Sequence, residues 1–530
     1  MNSKAATFIK SPFLTIPSLW RLLIVLYLVC YHIFFPIIAA MFMPHTDILL
    51  FPRFLLTSVH VLLISWPLLF YRREYGFLHP LLLPTIMAIA EDALKTPLNL
   101  IFPLEAPLVD YTVPTTSPAF SLRMGLGDLA ATRFWYETVQ ILALLCYYMG
   151  YFTLNFFKAP SLRLHPPRHL STTCAIATAL CIGVGLLFIQ LFGGGLTSYL
   201  VAMRSGRSFL LQGQGQFLVI AKFSMIIVIV WFVYLRRPFN NTLWLVAVAA
   251  SAFTTIVITG SRSSLISGLV VLLLLWWKRK GRPLVLPTAA LAVLALLVFG
   301  IFGAIRMDWG SRSIDTSVFK ISRLSDTLNR AHAEFEARSN QEGDLAAFAA
   351  ENQTLLWGRS YLGAISFWIP RTLWHGKPHA AGAYNMWVNF AGRPIEQFGT
   401  DVYWGIPVGA ATEAYWNFYL PGVVVIFLLF GAFHRWLSDL VWRHPQSPVV
   451  LVFSTWVVMN FRGDSGSFAN TVRDILMLGM LCYLLGIFRL EDERTLGRSV
   501  AWRFPDPINL GRRWAPQSWS AGRSSGRGAP

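Results

Sequence analysis

Charged residues are scarce in this chain: they make up 13% of its 530 residues, whereas 55% of the residues are hydrophobic. Soluble globular domains carry about 25% charged residues, so a water-soluble chain of this length could not keep so much apolar surface from water. The lack of charge therefore excludes an ordinary soluble protein and predicts a protein that lies in lipid.

Cysteines and metal-binding patterns are also scarce. The five cysteines all fall within long apolar stretches, at Cys30, Cys146, Cys174, Cys181 and Cys482. Their spacing indicates neither a disulfide framework nor a metal site. The sequence has no His-Glu-x-x-His or Cys-x-x-Cys pair to bind zinc, and no Asp-x-Asp pair of the kind used by metal-dependent nucleotide-sugar enzymes. We therefore expect neither a metal nor a cofactor.

Motifs for nucleotide hydrolysis and for serine catalysis are missing or out of place. No glycine-rich phosphate loop ends in Lys-Ser or Lys-Thr, which argues against ATP hydrolysis. The one Gly-x-Ser-x-Gly sequence, at 522–526, lies in a low-complexity tail with no strand before it and no helix after it. We interpret it as chance and expect activity without a soluble nucleotide.

Long apolar runs are what the sequence has instead. A transmembrane helix needs about 20 predominantly apolar residues. Twelve such stretches recur, at 19–42, 49–71, 78–93, 134–156, 172–192, 216–235, 243–259, 263–277, 284–304, 412–433, 449–461 and 472–488. The predicted fold class is an all-α polytopic membrane protein with about 12 transmembrane helices, the first of them a retained span rather than a removed signal peptide.

Lysine and arginine alternate along the chain in a way that predicts its orientation, because short cytoplasmic loops carry an excess of both. They fall in the N-terminal segment and in every second connection: Lys4, Lys10, Arg21, Arg72, Arg73, Lys158, Arg163, Arg168, Arg236, Arg237, Lys278, Arg279, Lys280, Arg282, Arg435 and Arg443. Both termini are therefore predicted to be cytoplasmic.

The apolar stretches and loops divide the chain into four regions. Residues 1–304 carry spans 1–9, and residues 412–488 carry spans 10–12. Residues 305–411 form the large outer loop between spans 9 and 10. Residues 489–530, with eight Arg against four Asp or Glu, predict a disordered cytoplasmic tail that lies against anionic lipid. For a membrane protein this is a simpler interpretation of the basic tail than nucleic-acid binding.

The large outer loop predicts a folded cap. It holds ten Lys or Arg and ten Asp or Glu, and loops of this length without structure are rare. Apolar residues recur at helical spacing over 321–335, and a second short helix is predicted over 344–353. We expect a mostly helical periplasmic cap. Its many aromatic residues are interpreted mainly as an interfacial belt, with a few that contact glycan.

Arginines also occur on the predicted outer side, mostly beside glycine or serine. They are Arg204, Arg207, Arg262, Arg359, Arg371 and Arg462. Any one of them fits a side chain that reaches from the membrane to the interface. Together they predict a cationic ring, because the arginine fork matches phosphate oxygens and glycine lets backbone N–H groups approach the same anion. The natural ligand is a lipid-linked pyrophosphate.

Three stretches resemble the O-antigen polymerase family, the oligosaccharide repeat-unit polymerases of Wzy type. The first is the Gly-Ser-Arg sequence at 260–262 in a turn between helices. The second runs from Trp357-Gly-Arg-Ser-Tyr361 through Ile369-Pro-Arg-Thr-Leu-Trp-His-Gly-Lys-Pro378 and includes Lys377. The third is Pro407-Val-Gly-Ala-Ala-Thr-Glu413 with Tyr415, Asn417 and Gly422. The resemblance covers roughly residues 190–488, and it departs from the family pattern at Tyr419-Leu-Pro421.

The resemblance implies a reaction at the periplasmic face of the bacterial inner membrane. A growing glycan passes from one polyprenyl pyrophosphate to the non-reducing end of a repeat unit carried by another, without a metal. The attacking hydroxyl then needs a base, for which Glu413, Asp464 and His375 are candidates. Arg204, Arg207, Arg262, Arg359, Arg371, Lys377 and Arg462 are candidates for binding pyrophosphate. The implied partners are the lipid-linked oligosaccharide, membrane lipid and a chain-length regulator protein.

Rival interpretations remain open at this point. Glu413 fits a structural partner of a nearby arginine equally well, Asp464 fits a salt bridge to Arg462, and His375 fits an interfacial residue. An O-antigen ligase would share the donor and differ in its acceptor. A transporter of lipid-linked oligosaccharide would need ionisable residues at the bilayer midplane, where we identify only Lys222 and the pair at 91–92.

The orientation is directly testable. A cysteine at position 330, in place of Arg330 in a variant without the native cysteines, should react with a membrane-impermeant thiol reagent from the periplasmic side. Labelling that occurs only from the cytoplasmic side would contradict the orientation and remove the basis for an outer-face site.

Overall fold

Helices dominate the part of the chain that the structure describes. The structure, a computed structural model, describes residues 13–34, 37, 38, 50–70, 76–92, 129–155, 158–196, 198, 199, 215–259, 262–284, 286–290, 348, 355–369, 373–378 and 408–488. Within these ranges there is no β-strand, and the one β-type pairing is an isolated bridge between Thr15 and Gly76. The all-α fold class is therefore confirmed for the described residues.

Twelve α-helices are described, and we number them in chain order. They are α1 (Ser18–Val29), α2 (Leu50–Leu69), α3 (Leu83–Asp92), α4 (Leu129–Thr153), α5 (Leu170–Gly193), α6 (Gly215–Tyr234), α7 (Thr242–Thr259), α8 (Arg262–Lys280), α9 (Arg359–Ile365), α10 (Ala410–Arg443), α11 (Pro448–Asn460) and α12 (Ser465–Leu484). All except the short α9 coincide with predicted apolar stretches. Most of the predicted ninth stretch and of the cap, including its predicted helices over 321–335 and 344–353, lies outside the described residues.

Several of these helices are suited to a membrane. Within the described residues, α5 over Leu170–Leu191 and α10 over Ala410–Arg443 are long and apolar enough to cross one, and five shorter helices are also apolar. Large apolar side chains face outward on many helices, for example Leu22 (64% exposed), Leu180 (64%) and Leu476 (63%). Exposed apolar surface on this scale indicates contact with lipid rather than water.

Helix α6 lies at the centre of the bundle. Its residues 223–232 are all buried, so the helix is covered on every side. A helix that is apolar all round is suited to such a position. It contacts α5, α7, α8, α11 and α12. The indole N–H of Trp244 at the start of α7 donates to the carbonyl of Val228 (3.0 Å) and ties the two helices together.

Helices α4 and α10 form the most extensive helix pair, and they run parallel. The Trp135 indole N–H near the start of α4 donates to the Tyr415 hydroxyl near the start of α10 (3.2 Å). Further along both helices, the Tyr147 hydroxyl lies 2.8 Å from Nδ1 of His434. The parallel direction agrees with the predicted topology, in which both are even-numbered spans.

Two glycines allow α4 and α10 to approach closely. A Cβ atom at Gly150 would lie 2.1 Å from the carbonyl oxygen of Leu428, and one at Gly431 would lie 2.0 Å from that of Tyr147. Such distances leave no room for any side chain, because the neighbouring atoms belong to the backbone. Small residues serve this purpose where transmembrane helices pack against each other.

Basic connections gather at the end of the bundle away from Glu413. Arg443, the last residue of α10, donates to the carbonyl of Ala159 in the connection before α5. Arg279, near the end of α8, donates to the carbonyl of Arg236, just after α6. Glu413 lies in the first turn of α10, which the kink at Tyr419 brings back beside Phe430, about three and a half turns before Arg443. This polarity agrees with the alternation of basic loops, while the side of the membrane stays a prediction.

The close approach of α4 and α10 predicts an unusual sensitivity at Gly431. Gly431→Ala should lower the free energy of unfolding by about 1–3 kcal/mol, because overpacking forces the backbone apart. Gly183→Ala and Gly479→Ala are matched controls, since a Cβ at either helical position meets nothing within 4 Å. Thermal unfolding in nanodiscs measures the difference. A Gly431→Ala midpoint equal to that of Gly183→Ala would contradict the packing argument.

Candidate active site

Glu413 is a buried carboxylate at the start of α10. Its side chain is 1% exposed, and its backbone N–H donates to the carbonyl of Gly409, the N-cap residue (3.0 Å). Both carboxylate oxygens accept hydrogen bonds from Ser465, one from the backbone N–H (3.0 Å) and one from the hydroxyl. Because an unpaired buried carboxylate is costly, these bonds account for how it is tolerated.

The turn between α11 and α12 supplies these donors. Asp464 is the N-cap of α12, and its Oδ1 accepts from the backbone N–H of Ser467 (2.7 Å), as capping carboxylates do. Gly463 before it has a φ of +92°, which favours glycine. A Cβ there would lie 3.3 Å from both Ala410 and Phe430 of α10. The Gly463 backbone is thus packed against α10, next to Glu413.

Helix α9 completes the polar cluster from a third part of the chain. The backbone N–H of Leu356 donates to the carbonyl of Trp416 (2.9 Å) and anchors the segment on α10. The Asn417 amide donates to the Ser360 hydroxyl (2.9 Å), and Ser360 in turn hydrogen-bonds the Glu413 carboxylate. Ser360 and Asn417 are both fully buried. Glu413 is therefore bonded by α9 on one side and by α12 on the other.

Three buried polar atoms in this cluster have no partner among the described residues: the Tyr361 hydroxyl, the Thr412 hydroxyl and Oδ1 of Asn417. Burial raises the pKa of the Tyr361 phenol well above its usual range, and the nearby charges of Glu413 and Asp464 raise it further. Tyr361 is therefore a neutral hydrogen-bond donor at physiological pH. Each unsatisfied buried polar atom calls for an explanation, and for these three a ligand bound beside the carboxylate would provide one.

The backbone is strained where α9 meets α10. Trp357 has a φ of +46°, and Tyr419 has φ +55° and ψ −148°, which kinks α10 just after the polar cluster. The two places touch, because a Cβ at Gly358 would lie 2.8 Å from the Phe418 ring. Such conformations cost about 1–3 kcal/mol each and cluster at functional sites. The kink falls at Tyr419-Leu-Pro421, where the sequence departs from the family pattern, while Glu413 stays helical.

Four of the predicted site residues lie at this end of the bundle: Glu413, Asp464, Arg359 and Arg462. Arg359 is the first residue of α9 and is exposed, directly beside Ser360. Arg462 is also exposed, and its backbone N–H donates to the Ser467 hydroxyl (3.2 Å) in the turn that carries Asp464. Residues from two distant parts of the sequence therefore offer cations around one buried carboxylate.

The other predicted arginines are not described in the same detail. Three lie outside the described residues: Arg204, Arg207 and Arg371. Arg262 is the first residue of α8, but its side chain also lies outside what is described. Helix α7 ends at Thr259 and α8 begins at Arg262, so residues 260 and 261 of the predicted tight turn lie outside the described residues. Near the start of α8, the Ser267 hydroxyl donates to Asn460 at the end of α11 (2.9 Å), so α8 begins beside the turn that leads to α12.

His375 and Lys377 lie further along the loop. His375 is exposed, and no described contact joins it to Glu413 or Asp464. The Lys377 ammonium donates to the carbonyls of Phe367 (3.1 Å) and Ile369 (2.8 Å). Lys377 therefore holds its own part of the chain against the residues that follow α9. Its role as a pyrophosphate ligand stays a prediction.

The partners of Glu413 were not identified as such from the sequence. Ser465 and Ser360 stand within motifs that were singled out for their arginines, yet serine occurs in most loops and carries no long-range pairing signal. Asn417 was noted only as part of the family pattern. The available signal was their place beside the arginines, at Arg359-Ser360 and Arg462-Gly-Asp-Ser465.

The interpretation of Lys222 as the only clear cation within a span is wrong. Arg473 and Asp474 lie inside α12 and are partly buried. Asp474 accepts from the Trp456 indole N–H (3.0 Å) and lies close enough to Lys222 and Arg473 for electrostatic attraction. Arg473 and Asp474 were overlooked because they lie at the start of the predicted apolar stretch at 472–488, in which most other residues are apolar.

No protein-family model, characterised protein or solved structure matches the chain. Its function is therefore argued from the site itself. The chemical content of that site is a buried carboxylate of α10 that accepts hydrogen bonds from α9 and α12, with exposed arginines and buried polar atoms next to it.

Proposed function

We propose that this chain is a polymerase that joins polyprenyl-pyrophosphate-linked oligosaccharide repeat units, in the synthesis of O-antigen, capsule or exopolysaccharide. One observation supports this above others. The stretch around Ser360, the stretch that ends in Glu413 and the arginine turn at 462–467 meet at one buried carboxylate. The first two stretches carry the resemblance to O-antigen polymerases, and the third was selected only for its misplaced arginine.

The proposed setting is the bacterial inner membrane. About twelve transmembrane helices cross it, both termini are cytoplasmic, and the cap at 305–411 lies in the periplasm. The outward apolar side chains and the basic connections that gather at one end of the bundle, away from Glu413, support this setting. The proposed partners are the lipid-linked oligosaccharide, membrane lipid and a chain-length regulator protein, and no nucleic acid.

In the proposed reaction, a sugar hydroxyl of the acceptor attacks the anomeric carbon of the donor glycan. The bond from that carbon to the pyrophosphate oxygen breaks, the pyrophosphate leaves with the electron pair, and the hydroxyl proton passes to a carboxylate. Glu413 is the proposed base or orienting group. Each carboxylate oxygen has two lone pairs, so the bonds from Ser465 and Ser360 leave Glu413 able to accept another proton.

The leaving pyrophosphate needs its developing charge stabilised. Arg359 and Arg462 are exposed beside Ser360 and Asp464 and are proposed to contribute to this. Arg204, Arg207, Arg262, Arg371 and Lys377 are proposed to complete the cationic surface. The arginine fork binds phosphate in a bidentate manner, which Lys cannot reproduce. In this scheme the arginines hold the donor and Glu413 acts on the acceptor.

A transporter of lipid-linked oligosaccharide is the second candidate. The cluster of Lys222, Arg473 and Asp474 within the bundle favours it, because ionisable residues inside a membrane often mark a transport path. Transport would leave repeat units unjoined and would not need a proton acceptor at Glu413. An O-antigen ligase would differ from the polymerase in its acceptor, so the product formed separates all three.

The main test is Glu413→Gln, which keeps the shape of the side chain but removes the proton acceptor. Polymer formation should fall about 10²–10⁴-fold, as is typical of general-base loss. Glu137→Gln is the matched control, because Glu137 is a half-buried carboxylate of α4 that bonds Thr57 outside this site. It should polymerise normally. Polymer length on gels is the measurement, at equal expression of each variant.

One pair of results would contradict the assignment of Glu413. Full-length polymer at the wild-type rate from Glu413→Gln, together with lost expression of Glu413→Ala, would mean that Glu413 only holds α10 to α12. The base would then be sought at Asp464 with Asp464→Asn, and at His375 with His375→Gln.

The arginine assignment predicts that Arg262→Lys and Arg371→Lys each lower polymerisation although the charge is kept, because the bidentate fork is lost. Expression should stay normal, since each residue is proposed to bind substrate rather than to stabilise the fold. Arg237→Lys, in the exposed connection after α6, is the control and should be silent. Unchanged polymer from both variants would refute the assignment.

A further inference from the structure

In α9, large apolar side chains face outward and small or polar residues face the bundle, which is the reverse of a helix on a water-exposed surface. Three large apolar side chains of this segment point outward: Leu362 (47% exposed), Ile365 (63%) and Trp368 (71%). The side chains buried against the bundle are small or polar, namely Ser360, Gly363 and Ala364. On a water-exposed surface the large apolar residues of a helix face the protein.

Large exposed apolar side chains also occur before and after the helix. Trp357 before it is 73% exposed, and Leu373 after it is 79% exposed. We call Trp357, Leu362, Ile365, Trp368 and Leu373 together the outer apolar face. Contiguous apolar surfaces of this kind mark a contact with another apolar body. The outer apolar face therefore calls for an apolar body that covers it.

The position of α9 identifies the covering body. The segment is anchored on α10 by the hydrogen bond from Leu356 to Trp416, at the same level as the first turns of α10 and α12. Phe418 and Tyr419, at the kink of α10, are 39% and 40% exposed. Further along α10, Val425 (53%) and Leu429 (48%) are also exposed. The outer apolar face therefore adjoins the apolar surface that α10 presents to lipid.

The polar residues of the segment fit the same position. Arg359 and His375 are exposed, and Lys377 is partly exposed. Two of the five members of the outer apolar face are tryptophans, the residue type enriched at the level of lipid headgroups. Basic residues beside large apolar ones are the pattern of helices that lie in the plane of a membrane interface.

We propose that α9 is an interfacial helix whose outer apolar face lies among the hydrocarbon chains of the outer leaflet. This inference rests on the membrane setting of the proposed function and adds to it the way the substrate arrives. Ser360, on the opposite side of the helix, bonds Glu413. Only the thickness of α9 therefore separates the lipid from the site, and Arg359 lies where a lipid-anchored pyrophosphate reaches it without leaving the leaflet.

Spin labels on single cysteines test the proposal in nanodiscs of phosphatidylethanolamine and phosphatidylglycerol. Cys30→Ser serves as background, because the other four native cysteines are buried. Labels at Leu362→Cys and Ile365→Cys are compared with Leu429→Cys on α10 as the lipid reference. Gln446→Cys, in the exposed turn before α11, is the water reference. Collisions with oxygen and with a water-soluble nickel complex are measured by power saturation.

The labels on α9 should give an oxygen-to-nickel collision ratio near that of Leu429→Cys and well above that of Gln446→Cys. A ratio like that of Gln446→Cys would overturn the proposal. Shielding from both reagents would overturn it too, since protein would then cover the face. Trp368→Cys replaces either variant that fails to fold.

The outcome is independent of the polymerisation assay. Water-exposed labels combined with an inactive Glu413→Gln would overturn this inference and leave the proposed function standing. Lipid-exposed labels combined with a fully active Glu413→Gln would support the inference and overturn the role of Glu413.

Discussion

The hydrogen bonds to Glu413 are the interaction on which this end of the structure depends. A carboxylate that is 1% exposed would be costly without partners. Ser465 provides two bonds and Ser360 provides another, and these serines come from α12 and α9, far apart in the sequence. Because each partner sits on a different element, satisfying one charge fixes the positions of three elements at once.

The bonds to Glu413 are compatible with the way the rest of α10 packs against α4. Gly150 of α4 and Gly431 of α10 bring the two backbones into contact, so the part of α10 that follows the kink has little freedom to shift. The strained backbone at Tyr419 then separates that rigid part from the first turns that carry Glu413. The strain is offset where Leu356 bonds Trp416 and where Gly358 lies against the Phe418 ring. The turns of α10 that carry Glu413 are therefore connected to the rest of the helix by the kink at Tyr419, and α10 is not one straight helix.

The sequence predicted the helices well because one physical quantity dominates them. Apolar length identifies a helix in lipid, and α1 to α8 and α10 to α12 each coincide with such a stretch. The short α9 has no such length. Which of its side chains face the bundle can be recognised only once its neighbours in the fold are known. Arg473 and Asp474 escaped notice for the opposite reason, since the apolar residues around them outweighed two charges in the pattern.

The site was predictable only in part, for a similar reason. Glu413 stood out through its motif, and Asp464 through its place beside Arg462. The pairing of Glu413 with Ser465 and Ser360 is a tertiary fact, because a serine hydroxyl has no preferred partner until the fold brings a carboxylate within about 3 Å of it. The predicted orientation of the bundle, by contrast, rests on a simple alternation of charge along the chain, and Arg443 and Arg279 both bond basic connections away from Glu413.

The proposed position of the site beside the lipid has a chemical consequence. Attraction between an arginine and a phosphate is weak in water and grows as the surrounding dielectric falls. A site beside hydrocarbon therefore strengthens the attraction between an arginine and an anionic head group, against the free-energy cost of removing water from both charges. The same low dielectric makes unpaired groups costly, and Tyr361, Thr412 and Asn417 each keep a buried polar atom without a partner among the described residues. Under the proposed function, the hydroxyl groups of an incoming sugar would bond these atoms, so substrate binding would also satisfy the buried polar groups of the site.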